Sequence, residues 1–251
     1  MLLLASFFAV PTTSSFVVLA FPPKLIEVLE IAIFSSLAIS VAVVAGKFRG
    51  EGYIGKAWLV FFAGVISMFS SDLLASGILG HSASIAAYYL FVTGCALYAS
   101  FFMFYIRILQ RAVTKRLVGL SVLVSLAIVL GLHVFGLADM HWTGALNNSI
   151  ILSAASSVIL IPAIVCVTLF FRGRLNRTLK LFLAGAVFLS MGSSAMLAED
   201  SQNYAVESME WLTYLGHIFF ILGVLDQLSV FDLRRNPLFT SSGGKNDHLG
   251  S

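Results

Sequence analysis

Seven long apolar runs, separated by short polar stretches, set the pattern of this chain. Each run is close to the roughly 20 residues that an α-helix needs to cross the hydrocarbon of a bilayer. In lipid every backbone amide needs an internal partner, and Pro162 is the one proline inside the runs, so helices are favoured over a barrel. The runs, numbered here as predicted spans one to seven, cover residues 25–46, 55–78, 84–109, 116–138, 147–171, 178–198 and 209–231.

Composition agrees with this pattern. Of the 251 residues 59% are hydrophobic and only 11% are charged, and the mean hydropathy is +0.97. A soluble domain could not bury so much apolar surface. The sequence therefore predicts an all-α, multi-pass protein of the cell membrane, whose first partner is the lipid bilayer.

The basic residues alternate from one connection to the next. Lys and Arg follow spans one, three, five and seven, whereas the loops around 77–83, 137–147 and 199–208 contain neither. By the positive-inside rule, the N-terminus of span one lies outside and the C-terminus lies in the cytoplasm. The net charge of +3 then reflects this sorting and the anionic lipid headgroups, so no nucleic-acid partner is expected.

The two ends of the chain differ from its middle. Residues 1–21 are apolar but interrupted by polar residues after Pro11, and they end in Val18-Leu19-Ala20, which suits signal-peptidase cleavage. A signal peptide, an interfacial segment and an eighth span all stay open. Removal or an outer-surface segment is favoured, because an eighth span would place the N-terminus inside without a basic anchor. We expect residues 22–231 to form the membrane domain and 232–251 a disordered cytoplasmic tail.

The sequence also repeats itself. Residues 67–75, which begin Ser-Met-Phe-Ser-Ser, return at 190–198 as Ser-Met-Gly-Ser-Ser, an offset of 123 residues (190 − 67). Ala63-Gly64 returns as Ala184-Gly185 with an offset of 121 (184 − 63). This order predicts two parallel three-helix repeats, residues 25–109 and 147–231, joined by a linker helix at 116–138. Close helix packing is the favoured role for the repeated serines.

The resulting 3+1+3 arrangement resembles two groups of seven-helix proteins with an outside N-terminus, the SWEET-type sugar transporters and the microbial rhodopsins. The resemblance is one of architecture, and no family motif accompanies it. SWEET-type repeats carry hinge prolines, whereas only Pro162 lies in a span here. Rhodopsins carry a lysine midway along span seven, and residues 211–231 contain none, so no retinal Schiff base is expected.

Familiar catalytic chemistry is missing from the sequence. Cys95 and Cys166 lie inside spans and read as small apolar core residues. No zinc-protease, serine-hydrolase or phosphate-binding motif occurs, so an enzyme of a familiar class is not expected. Among the aromatic residues, Tyr53, Trp58 and Tyr105 fall near the predicted inner boundary, as an interfacial belt requires.

Acidic residues collect at the predicted outer face. Asp72 ends span two and has no acidic counterpart in the repeat, and Glu207 and Glu210 precede span seven. His217 lies two turns into that span, where an ionisable group is costly and by default marks a site. We therefore predict a ligand site of Asp72, Glu207, Glu210 and His217, in a negative funnel that raises the local concentration of cations. The alternative is that these acids are solvated loop ends left by charge sorting.

Other polar residues admit further readings. His133, His141 and His217 are candidate metal ligands, and His133 with His217 could hold haem or a metal across the bundle. A neutral His217 bonded to a serine of a neighbouring helix is equally compatible with the sequence. Asp226, toward the cytoplasmic end of span seven, is expected to pair with a basic residue of the inner loops.

Three functions stay open at this stage. The first is binding and translocation of a small solute or cation through an outward-facing acidic site. The second is a receptor or sensor module, or a non-catalytic subunit of a larger membrane complex. Its partner would be another membrane protein or a second copy of this chain. In that reading signalling needs a partner, because the tail is short. The third is an intramembrane redox or metal protein that uses its histidines.

Overall fold

Helices coincide with all seven apolar runs in the computed structural model, which describes residues 23–75, 84–108, 114–137, 146–170, 175–195 and 204–235. Residues 1–21, on which three readings were open, lie outside the described part. In chain order the helices are α1 (Pro23–Lys47), α2 (Gly52–Ala75), α3 (Ser84–Ile108), α4 (Lys115–Leu137), α5 (Leu146–Val158), α6 (Leu160–Leu169), α7 (Leu175–Ala195) and α8 (Tyr204–Arg235).

Span five is divided between α5 and α6, and Pro162 gives the reason. Proline has no N–H to donate to the carbonyl of Val158, and its ring crowds that carbonyl. The Ile159 N–H instead bonds to the Ser156 carbonyl, three residues back, at 3.3 Å. Span seven, by contrast, is longer than predicted, since α8 continues to Arg235. Pro237, two residues further on, cannot continue a helix.

Five stretches within the described residues are long and apolar enough to cross a membrane, by length and composition: Val28–Lys47, Gly52–Ala75, Ile85–Ile108, Ile151–Leu169 and Trp211–Ser229. Helix α7 is not among them, and it opens with Asn176, Arg177 and Lys180 within its first two turns. The molecule is thus an all-helical bundle with apolar helices suited to a membrane.

Two antiparallel helix pairs, α2–α3 and α7–α8, form the most extensive interfaces. Helix α1 packs against α2 and α8, while α5 and α6 pack against α7 and α3. Helix α4 lies at the periphery on α6 and α7. Helix α1 and the α5–α6 segment therefore each bridge one helix from each pair.

Glycines allow each pair to approach closely. A methyl group built on Gly64 would lie 2.8 Å from the Tyr98 ring, and one on Gly94 would lie 2.8 Å from the Met68 side chain. In the second pair, a methyl group on Gly216 would lie 2.9 Å from the carbonyl oxygen of Gly185. Small residues at such crossings are what helix association in lipid requires.

The serines also serve helix packing, as expected, but the two copies make different contacts. Ser67 and Ser71 donate their hydroxyls to the Leu90 and Ala87 carbonyls of α3, at 2.8 and 2.7 Å. Ser190 instead pairs with Ser157 of α5, at 2.8 Å.

The two sequence offsets, 121 at Gly64 and 123 at Ser67, do not describe one superposition. Gly64 and Ser67 lie three residues apart in an unbroken helix, whereas Gly185 and Ser190 lie five apart in another. A slip of two residues within a helix turns a side chain by about 200°. The slip between the two offsets therefore lies within a helix and not in a loop.

Aromatic rings fill the middle of the bundle. Phe61 stacks on Tyr98 at a centroid distance of 4.9 Å and meets Phe182 at 5.3 Å and Phe220 at 5.7 Å. Trp58 packs against this group and is fully buried. Tyr105 is buried as well, so the assignment of Trp58 and Tyr105 to an interfacial belt is wrong, while Tyr53 is exposed. Cys95 and Cys166 are free and buried, as predicted.

Candidate functional site

His217 is an ionisable residue buried in the described core. Its side chain is 1% exposed, and its ring Nδ1 lies 2.9 Å from the backbone carbonyl oxygen of Thr213, one turn earlier in α8. A carbonyl oxygen can only accept a hydrogen bond, so Nδ1 carries the proton. An unpaired buried charge is costly, which favours the neutral imidazole. The other nitrogen, Nε2, then presents a lone pair.

That lone pair has no hydrogen-bond partner among the described residues. The expected serine partner of a neighbouring helix is therefore not seen there, and the backbone of α8 takes its place through Nδ1. Leaving a buried polar atom unsatisfied costs about 1–3 kcal/mol. A group with an N–H or O–H directed at Nε2 would recover that energy.

Aromatic rings surround the imidazole. The Phe34 ring of α1 lies 4.3 Å from it, centroid to centroid, and the Phe220 ring lies 6.1 Å away nearly at right angles. Phe69 of α2 stacks on Phe34 at 5.5 Å. The imidazole thus lies among aromatic rings, and the faces of such rings attract cations through their quadrupoles.

A second polar contact lies one turn toward the predicted outer end, where α1 and α8 begin. The Tyr214 hydroxyl donates to a carboxylate oxygen of Glu30 at 3.3 Å, joining α8 to α1. Glu30 and Phe34 are four residues apart on α1, and Tyr214 and His217 are three apart on α8, so each pair shares one helix face. These four residues form what we call the α1–α8 site. The sequence-based prediction did not include Glu30, Phe34 and Tyr214, although their spacing was a usable signal.

The predicted site residues are only partly within the described structure. Asp72 is half-buried near the end of α2 and is close enough to Tyr98 to interact with it electrostatically. Glu207 and Glu210 belong to the first turns of α8, but their side chains lie outside the described part. The convergence of Asp72, Glu207, Glu210 and His217 stays a prediction.

The metal readings also stay predictions. His133 belongs to α4, with its side chain outside the described part, and His141 lies wholly outside it. Helix α4 packs mainly against α6 and α7, whereas His217 packs against α1. Within the described residues, no three His, Cys, Asp or Glu side chains come together as metal ligands would.

The opposite end of α8 carries a different polar cluster. Asp226 accepts a hydrogen bond from the Thr178 hydroxyl at 2.7 Å and pairs with Arg177 at 3.2 Å. The expected pairing of Asp226 with a basic residue is confirmed, whereas the assignment of this end to the cytoplasm stays a prediction. Helix α8 therefore has a polar contact to α1 near one end and a polar contact to α7 near the other.

Comparisons of the chain with family models, with curated proteins and with solved structures found no match. Its function is therefore inferred from its own residues and their geometry.

Proposed function

We propose that this chain is a seven-span protein of the cell membrane that binds a small organic cation, such as an amine, near its outer face and acts as a receptor or sensor module. The observation that carries the proposal is the buried, unsatisfied Nε2 of His217 beside Phe34.

Seven spans and an outside N-terminus for α1 are supported by two facts. Every predicted run forms helix, and five of these helices are long and apolar enough to span a membrane. The basic residues of the loops follow alternate runs, and Lys24, just before span one, is the exception. Helices α4 and α7 supply the two further spans, and α5 with α6 forms one.

Duplication is supported by the packing pattern. Helix α1 contacts α2 and α8, and α5 with α6 contacts α7 and α3, which are the corresponding neighbours if span one matches span five. The Gly64–Gly94 crossing likewise corresponds to Gly185–Gly216, at offsets of 121 (185 − 64) and 122 (216 − 94). In this alignment Tyr98 matches Phe220. These correspondences support two parallel three-helix repeats with α4 as linker.

The same alignment singles out His217. With Gly94 matched to Gly216, the counterpart of His217 is Cys95, which is a buried, apolar-like residue. The shared scaffold therefore does not require an imidazole at this place. A costly polar group that the scaffold does not need is best explained by a ligand.

The chemistry of the α1–α8 site favours an amine. The lone pair of Nε2 can accept an N–H, the nearby Phe34 ring favours a positive charge over its face, and the Glu30 carboxylate lies one turn above. The predicted outer loops add acids and contain no Lys or Arg, and Lys24 before span one is a single basic residue on the same side. The acids outnumber it, so cations are drawn to this end.

A receptor fits the packing better than an open pathway. The centre between the helix pairs is filled by Phe61, Tyr98, Phe182 and Phe220, which offer little to line a polar route. Helix α1, in contrast, has smaller interfaces than those within the α2–α3 and α7–α8 pairs. A ligand entering between α1 and α8 would displace α1, and the continuous α8 would carry the change toward Asp226.

The experiment measures that displacement. Spin labels on cysteines replacing the exposed Ile31 of α1 and Ile218 of α8, in a chain lacking Cys95 and Cys166, report the α1–α8 distance in nanodiscs. Addition of alkyl and aromatic amines from a panel is expected to lengthen this distance for some members. His217→Leu is expected to abolish the response, whereas His217→Gln, which keeps an acceptor, retains part of it. No response to any amine, or an equal response of His217→Leu, would reject the proposal.

Transport is the second candidate, favoured by the corresponding crossings of the two helix pairs, since such repeats are typical of transporters. It requires the aromatic core to open. Uptake of the same amines into proteoliposomes separates the two functions: a distance change without uptake supports the receptor, and uptake that His217→Leu abolishes supports transport.

A further inference from the structure

A groove of about 650 Å³ lies between α3, α4 and α6, on a different side of the bundle from the α1–α8 site. It follows the last two turns of α3 from Ser100 to Arg107, and Val118 of α4 and Pro162 of α6 form its other walls. It exists because α4 packs on α6 and α7 rather than closely on α3. Met103 and Val118 are exposed, so the groove opens toward the lipid.

The walls of the groove are almost entirely apolar. Phe104, Ile106, Ile161 and Val165 contribute hydrocarbon. The Ser100 hydroxyl, the other polar group besides Arg107, donates to the Ala96 carbonyl of its own helix at 2.8 Å. The interior therefore offers no free donor to a polar ligand and suits a hydrocarbon chain.

One end of the groove is positively charged. The Arg107 guanidinium lies over the Tyr53 ring at 5.9 Å, and the Lys56 ammonium lies over the same ring at 5.8 Å. Lys115 and Arg116, in the first turn of α4, are exposed near the end of α3. Among the described residues Arg107 forms no ion pair with a carboxylate. An anion beside Arg107 would supply the countercharge that the Tyr53 ring does not provide.

We propose that this groove binds an anionic phospholipid, with an acyl chain along α3 and the headgroup phosphate on Arg107. An apolar slot that ends in a basic cluster on the predicted cytoplasmic side matches the two halves of such a lipid. The anchored lipid would fill the space between α3 and α4 and so fix the otherwise peripheral α4. The proposal rests on the membrane topology proposed above but not on the amine site, with which the groove shares no residue.

The test counts retained lipid. Protein reconstituted in phosphatidylcholine, alone or with a minor fraction of phosphatidylglycerol, is extracted gently and its bound lipids are counted by native mass spectrometry. The wild type is expected to retain phosphatidylglycerol in preference to phosphatidylcholine. Arg107→Gln should weaken that retention about fivefold, the effect of about 1 kcal/mol for one basic group at a membrane surface. Ser100→Phe, which fills the groove and keeps every charge, should weaken it as well.

Arg49→Gln is the matched control, because Arg49 is an exposed basic residue on the same predicted side, outside the groove. It should retain phosphatidylglycerol like the wild type. Equal losses in Arg107→Gln and Arg49→Gln would mean that surface charge alone attracts the lipid, and full retention by Ser100→Phe would mean that the chain does not enter the groove. Either result overturns the proposal. If Ser100→Phe does not fold, Val118→Trp at the exposed wall takes its place, with the same expected loss.

Discussion

Replacing Gly216 by alanine places one methyl group at the closest approach of α7 and α8. The new carbon would lie 2.9 Å from the Gly185 carbonyl oxygen and 3.1 Å from the Leu189 backbone nitrogen, where ordinary contacts begin at 3.4 Å. Because both neighbours are backbone atoms, no side-chain rotation can relieve the clash. The two helices must separate by about 0.5 Å, which disturbs packing along their whole interface, and overpacking of this kind costs about 1–3 kcal/mol.

Alanine also raises helix propensity by about 1 kcal/mol over glycine, so the result must be compared with a glycine that gains the same propensity without a clash. Gly119 of α4 is that control, because nothing lies within 4 Å of a methyl group built at this position. Gly94→Ala is the intermediate case, since its nearest neighbour is the flexible end of Met68. The expected order of stability is Gly119→Ala, then Gly94→Ala, then Gly216→Ala.

Reversible unfolding in mixed micelles, titrated with a denaturing detergent, measures this order. The free energy of unfolding of Gly216→Ala should fall about 1–3 kcal/mol below that of Gly119→Ala. Equal stabilities for the two variants would show that α7 and α8 do not cross at Gly216 as described, and would remove one of the two supports for the duplication.

Three further predictions concern other parts of the bundle. Thr178→Val removes a hydrogen bond to the half-buried Asp226 carboxylate and should lower the free energy of unfolding by about 1.5–3 kcal/mol. The Arg177 side chain is 82% exposed, so Arg177→Gln should change the free energy of unfolding by less than about 1 kcal/mol. A larger effect of Arg177→Gln than of Thr178→Val would contradict the Thr178–Asp226 hydrogen bond. His217→Leu removes the unsatisfied Nε2 and should leave the ligand-free protein as stable as the wild type in the same titration. A large loss of stability would indicate that His217 is retained for packing. Cysteines at Ser82 and Thr143 should react in intact cells with a membrane-impermeant maleimide, and labelling from the cytoplasmic side would overturn the proposed topology.

The helices follow closely from the sequence because hydrophobic length and proline act locally. The bounds of α3 and α4 differ from the predicted runs by at most one residue, and the break at Ile159 follows from Pro162. The packing of side chains across helices depends on which helix faces meet, and the hydrophobic pattern of a single sequence does not reveal those faces. Trp58 and Tyr105 show this: both have the position expected of an interfacial belt, yet both are buried among rings.

The candidate site was predictable in one respect. A histidine in a span is expensive to expose to lipid, so the burial of His217 follows from its position. The identity of its neighbours does not follow from the sequence. Sequence spacing relates only residues of the same helix, and charge sorting concerns only the acids of the outer loops. Phe34 lies in α1, far away along the chain, and only the α1–α8 packing brings it to the imidazole. The repeated serines show the same limit, because Ser67 bonds to α3 whereas Ser190 bonds to α5.

The central claim, that Nε2 of His217 receives a ligand, is tested most directly by nitrogen NMR of the protein with ¹⁵N-labelled histidine rings in nanodiscs. His217→Leu assigns the two resonances of that ring by their loss. Without ligand, Nδ1 should be protonated and Nε2 unprotonated, as the bond to the Thr213 carbonyl requires. An amine that changes the α1–α8 distance should shift the Nε2 resonance strongly and the Nδ1 resonance little. A protonated Nε2 in the free protein, or an Nε2 resonance that no such amine moves, would contradict the account.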